Sequence, residues 1–77
     1  MVEKQILEDS EFLQSSGALV KVFETGNTLR MFDAYRRLYD LVKDQIPNER
    51  ILSAIEYLEN QGVLRINGPY LTYQPIK

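Results

Sequence analysis

Residues 46–76, IPNERILSAIEYLENQGVLRINGPYLTYQPI, prescribe a helix that stops at a glycine and runs directly into a two-stranded hairpin. From Pro47 to Gln61 the apolar residues Ile51, Ala54, Ile55 and Leu58 recur at three- and four-residue spacing, so they share one helical face. Gly62 follows the last periodic residue and supplies the left-handed backbone that ends a helix. Pro47 falls at the other end, where a missing N–H costs little. Beyond the glycine, Val63 to Ile66 and Tyr70 to Tyr73 are β-rich runs joined at Asn67-Gly68, a pair that tolerates the positive φ of a tight hairpin turn. Pro69 fits only where no ladder hydrogen bond is needed, which marks the turn or an edge.

Upstream the pattern is more mixed. Thr25-Gly26-Asn27 reads as a turn, and Thr28 to Phe32 as a short strand, the first of three, before Asp33 caps a helix from Ala34 to about Asp44. In that helix Tyr35, Leu38, Leu41 and Val42 form the buried stripe, while Arg36, Arg37, Asp40 and Lys43 face water. Earlier still, Phe12, Leu19, Val20 and Phe23 fall on one face of a helix starting near Ser10, with Asp9 or Ser10 as its N-cap. Ser15-Ser16-Gly17 is its weak point, since an interior glycine costs about 1 kcal/mol against alanine. One helix or two shorter pieces both satisfy the pattern. The leading MVEKQIL fits a strand, a helical turn or a frayed end, with Ile6 and Leu7 packing on the domain or on a neighbour.

Seventy-seven residues make a single domain, 1–77, small enough that a second copy is a common source of added stability. A hydrophobic fraction of 44% with 26% charged residues is that of a soluble globular chain. Cysteine and histidine are absent, so disulfides, the usual zinc ligands and the commonest general base near neutral pH are excluded. Neither a metal nor any other cofactor is expected. The longest apolar run, Ala18 to Val20, falls far short of a membrane span, and the acidic start is unlike a secretion signal, which points to the cytoplasm. Catalysis is not expected: Ser15 and Ser53 lack a histidine to activate them, and the neighbouring acids Glu8, Asp9, Glu11 and Glu56, Glu59 lack opposed placement around a pocket.

Taken in order, helix, short strand, helix, turn, helix and hairpin resemble the winged helix-turn-helix superfamily. The resemblance spans roughly Ser16 to Pro75 and rests on DAYRRLYDLVKDQIPNERILSAIEYLENQGVLRINGPYLTYQ. Within it ILSAIEYLENQGVL looks like the third helix and following strand of many small prokaryotic regulators. The implied fold is α+β, mainly α, with a three-helix core and a small β-hairpin wing. Residues 1–15 would be an N-terminal extension or the start of helix one, and a dimerisation segment. Two departures stand out: the turn KDQIP lacks the glycine common in such turns, and the Asn67-Gly68 wing is short.

The resemblance implies DNA binding, with the third helix in the major groove and the wing on the backbone. The residues test that implication. At about 100° per residue, the outward side of the third helix carries Glu49, Ser53, Glu56 and Asn60, with Leu52 and Glu59 on one shoulder and Arg50 and Tyr57 on the other. That side is acidic, and carboxylates oppose the phosphate contacts that supply most non-specific affinity. The net charge of −2 has the same sign. Cations lie elsewhere, at Arg30, Arg36, Arg37, Lys43, Arg50 and Arg65, and Asp33 with Arg37 and Arg36 with Asp40 have the spacing of helical ion pairs. The tyrosines Tyr35, Tyr39, Tyr57, Tyr70 and Tyr73 suit half-buried packing better than base stacking.

Two functions follow. The leading expectation is a small transcriptional regulator that binds double-stranded DNA as a homodimer joined through helix one and the N-terminal segment. Arg36, Arg37, Lys43, Arg50 and Arg65 would meet phosphates, and Asn48 and Ser53 base edges. The alternative is a protein-interaction module whose acidic third helix, through Glu49, Leu52 and Glu56, docks on a basic partner. Leu52 lies off the centre of the buried stripe, where it either docks on a protein or covers the edge of the core.

Overall fold

Gly17 divides the N-terminal helical segment. In the computed structural model, which describes residues 2–74, α1 spans Val2–Ser15 and α2 Ala18–Val22. Gly17 has a φ of 80°, left-handed backbone that side chains resist, so the helix breaks there. The Ser16 hydroxyl then accepts from the Ala18 N–H at 3.3 Å, serving one of the free donors of the new helix. Two pieces form, but the first begins at Val2 and not near Ser10, and Asp9 and Ser10 lie inside it as buried residues, not as caps. The break also resets the helical phase. Leu13 is fully buried, Phe12 only partly, and Val20, expected in the stripe, is 60% exposed. The expected domain of 1–77 and the resemblance reaching Pro75 extend to Met1 and Pro75–Lys77, which lie outside the described residues.

β1 (Thr28–Arg30) passes straight into α3 (Met31–Val42). The strand therefore ends before Phe32, and Arg30, in extended backbone, occupies the N-cap expected of Asp33. The cause lies across the fold: the Met31 N–H donates to the Pro69 carbonyl at 2.7 Å, so a first-turn donor finds its partner in the hairpin. Asp33 instead sits in the first turn, near the positive end of the helix dipole. Ala34, Leu38 and Val42 are the buried stripe, with Tyr35 partly covered. Leu41 is 46% exposed, contrary to expectation, and lies in a shallow hollow beside Lys21, Val22 and Glu24 at the end of α2.

The turn into α4 (Asn48–Asn60) holds Ile46 in the core, with its N–H on the Val42 carbonyl at 2.8 Å. Among the described residues positive φ is confined to glycine, so this turn works without one. Ile51, Ala54, Ile55 and Leu58 are buried as their spacing requires. At the far end Gly62, with φ of 82°, donates to Glu59 O at 3.1 Å and Val63 donates to Leu58 O at 3.0 Å. This pair of bonds is a Schellman cap. A Cβ at Gly62 would meet open space, so the Gly62→Ala variant should lose about 1–2 kcal/mol through backbone strain alone. Urea unfolding measures this; an unchanged midpoint would show that the helix end does not depend on the left-handed residue.

β2 (Leu64–Asn67) and β3 (Tyr70–Tyr73) pair Asn67 with Tyr70 and Leu64 with Tyr73. The loop is thus Gly68-Pro69, one residue later than expected at Asn67-Gly68. Gly68 has φ of 62° while the proline ring holds φ negative, the signs of a type II′ turn. β3 is central in the antiparallel order β1-β3-β2, with Leu71 opposite both Leu29 and Ile66. Tyr73 closes one corner by stacking on Phe23 at 5.5 Å. The result is a mainly helical α+β fold in which one core joins the four helices to a three-stranded sheet. None of the described helices is long and apolar enough to cross a membrane.

Candidate functional site

The buried stripe of α4 fixes what its other side presents. Glu49, Leu52, Glu56 and Asn60 are exposed, and Arg50, Ser53, Tyr57 and Glu59 are half-buried. Leu52, 52% exposed, stands between Glu49 a turn before it and Glu56 a turn after it. An apolar side chain is thereby framed by two carboxylates. Next to it, Phe32 at the start of α3 is 67% exposed. Leu52, Met31, Phe32, Tyr35, Pro69 and Arg30 line an open trough of about 450 Å³, mostly apolar.

Three local features build this trough. The Met31–Pro69 hydrogen bond ties the hairpin tip to the first residue of α3 and sets Pro69 as one end. The Arg36 guanidinium lies 5.8 Å from the centre of the Phe32 ring, a cation–π arrangement on the α3 side. Tyr35 stacks with Tyr39, 37% exposed, at a centroid distance of 6.5 Å, which carries aromatic surface another turn along α3. Arg30 is the charged residue in the trough's lining, with Arg36 over the Phe32 ring and Glu49 and Glu56 a turn before and after Leu52 on α4.

The sequence-predicted cations are spread over several elements. Arg50 Nε donates to Asp9 Oδ2 at 2.9 Å and Nη2 to Oδ1 at 3.3 Å, a two-pronged contact with a carboxylate that is 5% exposed. Arg50 was expected to meet phosphate; it is turned instead toward α1. Arg37 Nη1 donates at 3.4 Å to Val22 O and at 3.4 Å to Thr25 Oγ1. The expected Asp33–Arg37 and Arg36–Asp40 pairs do not form: Asp9–Arg50 is the ion pair found among the described residues. The four side chains still line one polar hollow on α3. Arg36, Lys43 just past the end of α3, and Arg65 on β2 are exposed, as is Asn48 at the start of α4, whereas Ser53 is half-buried.

No protein-family model matches this chain, and no curated protein or solved structure matches it either.

Sequence reasoning found Leu52, Glu49 and Glu56 by helical projection. It does not reach Met31, Phe32, Tyr35 and Pro69 as their neighbours, because a strand running to Phe32 and a buried Tyr35 place both away from this surface. A signal was present: Phe32, Tyr35 and Tyr39 recur at three- and four-residue spacing on a stripe offset from Leu38 and Val42. It also missed Asp9. An acid placed among Ile6, Ser10 and Leu13 at helical spacing lies on the inward side and requires a partner there. Among the described residues no three acidic side chains gather as metal ligands.

Proposed function

We propose that this chain is a winged-helix protein-docking module, with α4 in the place of the recognition helix and β2–β3 as the wing. The element order and the sheet order β1-β3-β2 support the winged-helix reading. One observation carries the docking reading: on the outward side of α4, where a DNA reader needs polar or basic groups, Leu52 and Phe32 open an apolar trough beside Glu49 and Glu56. Exposed apolar patches beside polar residues mark interaction sites, and the carboxylates that flank Leu52 on α4 select against phosphate. The occupant is a protein surface with an apolar anchor for the trough and cations to face the two glutamates. The withdrawal of Arg50 into its contact with Asp9 supports the same reading.

DNA binding remains the second reading on one specific observation: Arg36, Arg37, Lys43 and Arg65 are all exposed and form no ion pair among the described residues. One pair of titrations separates the two. A synthetic amphipathic Leu/Lys helix should shift the amide resonances of Phe32, Tyr35 and Leu52, and Leu52→Gln should weaken it about tenfold or more. A random DNA duplex followed by fluorescence anisotropy should not bind at about 50 mM salt. Micromolar duplex binding that falls steeply by about 200 mM salt, and is lost when Arg36 and Arg37 are both alanine, would transfer the function to DNA.

A further inference from the structure

The outward face of the sheet differs in composition from the trough. Strand residues alternate between faces, and cross-strand partners share one. Leu71, opposite Leu29 and Ile66, marks the inward face, so Thr28, Arg30, Arg65, Asn67, Tyr70 and Thr72 stand together on the other. The hydrogen bond between the Thr28 and Thr72 hydroxyls at 3.0 Å agrees with that placement. Thr72 is half-buried and the other five are exposed. Tyr70, 43% exposed, lies directly between Arg30 on β1 and Asn67 on β2. Its ring joins neither aromatic stack nor the cation–π contact found among the described residues, so it is free to receive a planar group. Arg65 stands diagonally across from Arg30, beside Thr72, and the two arginines occupy the two edge strands about 10 Å apart. Neither forms an ion pair among the described residues. None of the three strands contains an acid, although the chain has 11 acidic against 9 basic residues.

We infer that this face binds single-stranded RNA. An unpaired base stacks on Tyr70 while Arg30 and Arg65 take phosphates on either side of it. An exposed ring between unpaired cations on an open sheet is the arrangement that holds single strands with little regard to sequence. The neutral groups among the arginines select the sugar: the Asn67 amide and the threonine hydroxyls offer donors and acceptors to a 2′-hydroxyl, which DNA lacks. A duplex keeps its bases inside the stack and gains only the phosphate contacts. An acidic peptide meets the arginines but has no base for the ring. The face is independent of the docking reading, since it shares only Arg30 with the lining of the trough.

The test titrates the full chain into a fluorescently labelled oligo(U) of about eight nucleotides and follows anisotropy. At about 50 mM salt half-saturation should fall at about 0.1 mM or below, and log K should fall against log salt with a slope of about −1.4, two phosphates at about −0.7 each. Arg65→Ala should bring that slope to about −0.7. Tyr70→Leu should weaken binding about tenfold with the slope unchanged, whereas Tyr70→Phe, which keeps the ring, should bind as the wild type does. Oligo(dU), which differs only at the 2′-position, should bind about threefold or more weakly, and a random duplex and an oligoglutamate peptide should not bind. Both substituted side chains are exposed, so the variants should keep the wild-type urea midpoint. No binding of oligo(U) by about 1 mM protein would overturn the inference. So would binding that neither Arg65→Ala nor Tyr70→Leu disturbs. Equal affinity for oligo(dU) would overturn the choice of RNA, and equal affinity for oligoglutamate the choice of a nucleic acid.

Discussion

Truncation of Ile55 to alanine should destabilise the domain by about 2–5 kcal/mol, the lost transfer energy plus the cavity left behind. Ile55 is 1% exposed on the inward side of α4, between Ile51 and Leu58, both fully buried. A domain of this size is stable by roughly 4–12 kcal/mol in all, so one truncation there removes a large share of it. The same helix supplies its own control. Leu52→Ala, three residues earlier, removes a side chain that is 52% exposed and should change stability by no more than about 0.5 kcal/mol. Urea unfolding of both variants reads the contrast. Equal effects would mean that α4 is rotated from the orientation described, and the trough would go with it.

Replacement of Arg50 by alanine should cost about 1–3 kcal/mol. The Asp9 carboxylate is 5% exposed, and without Arg50 its remaining side-chain partner is Gln5 Nε2 at 3.5 Å, the limit of a hydrogen bond. The cost stays below that of a fully buried pair because the Arg50 side chain is 34% exposed and water can partly replace it. Removing both partners should recover part of the loss, since no buried charge is then left alone. A double-mutant cycle in urea measures the coupling between α1 and the start of α4. A fully stable Arg50→Ala variant that binds duplex DNA less well would return Arg50 to the phosphate-binding role expected from sequence.

Legibility along this chain follows the strength of its punctuation. Gly62 and the Ile51–Leu58 period define α4 to within a residue, because a glycine stop and a four-residue apolar stripe agree. The hairpin was readable too, but two glycine-containing pairs compete for its turn. Proline decides between them, since it cannot take positive φ and fits as the second loop residue after Gly68. The N-terminal half was harder, for a physical reason. Asp9 and Ser10 are polar residues on a buried face, satisfied by Arg50 and by the Leu7 carbonyl at 2.8 Å, so they imitate a helix cap. The trough needed tertiary structure altogether: Met31, Leu52 and Pro69 lie on three different elements, and no local pattern announces that they meet.

The place of β1 in the sheet ties the shape of the trough to completion of the fold. Its pairing lies with β3, where the Thr28 and Thr72 hydroxyls meet at 3.0 Å across 44 residues of chain. A contact closed over so long a loop carries a closure entropy that local contacts do not, and the packing of the intervening helices must offset it. The Pro69 carbonyl that receives the first N–H of α3 arrives with the same hairpin. A chain without this pairing therefore displays Phe32 and Leu52 without the shaped hollow between them, and the docking proposed for this surface would discriminate the finished domain from its precursors.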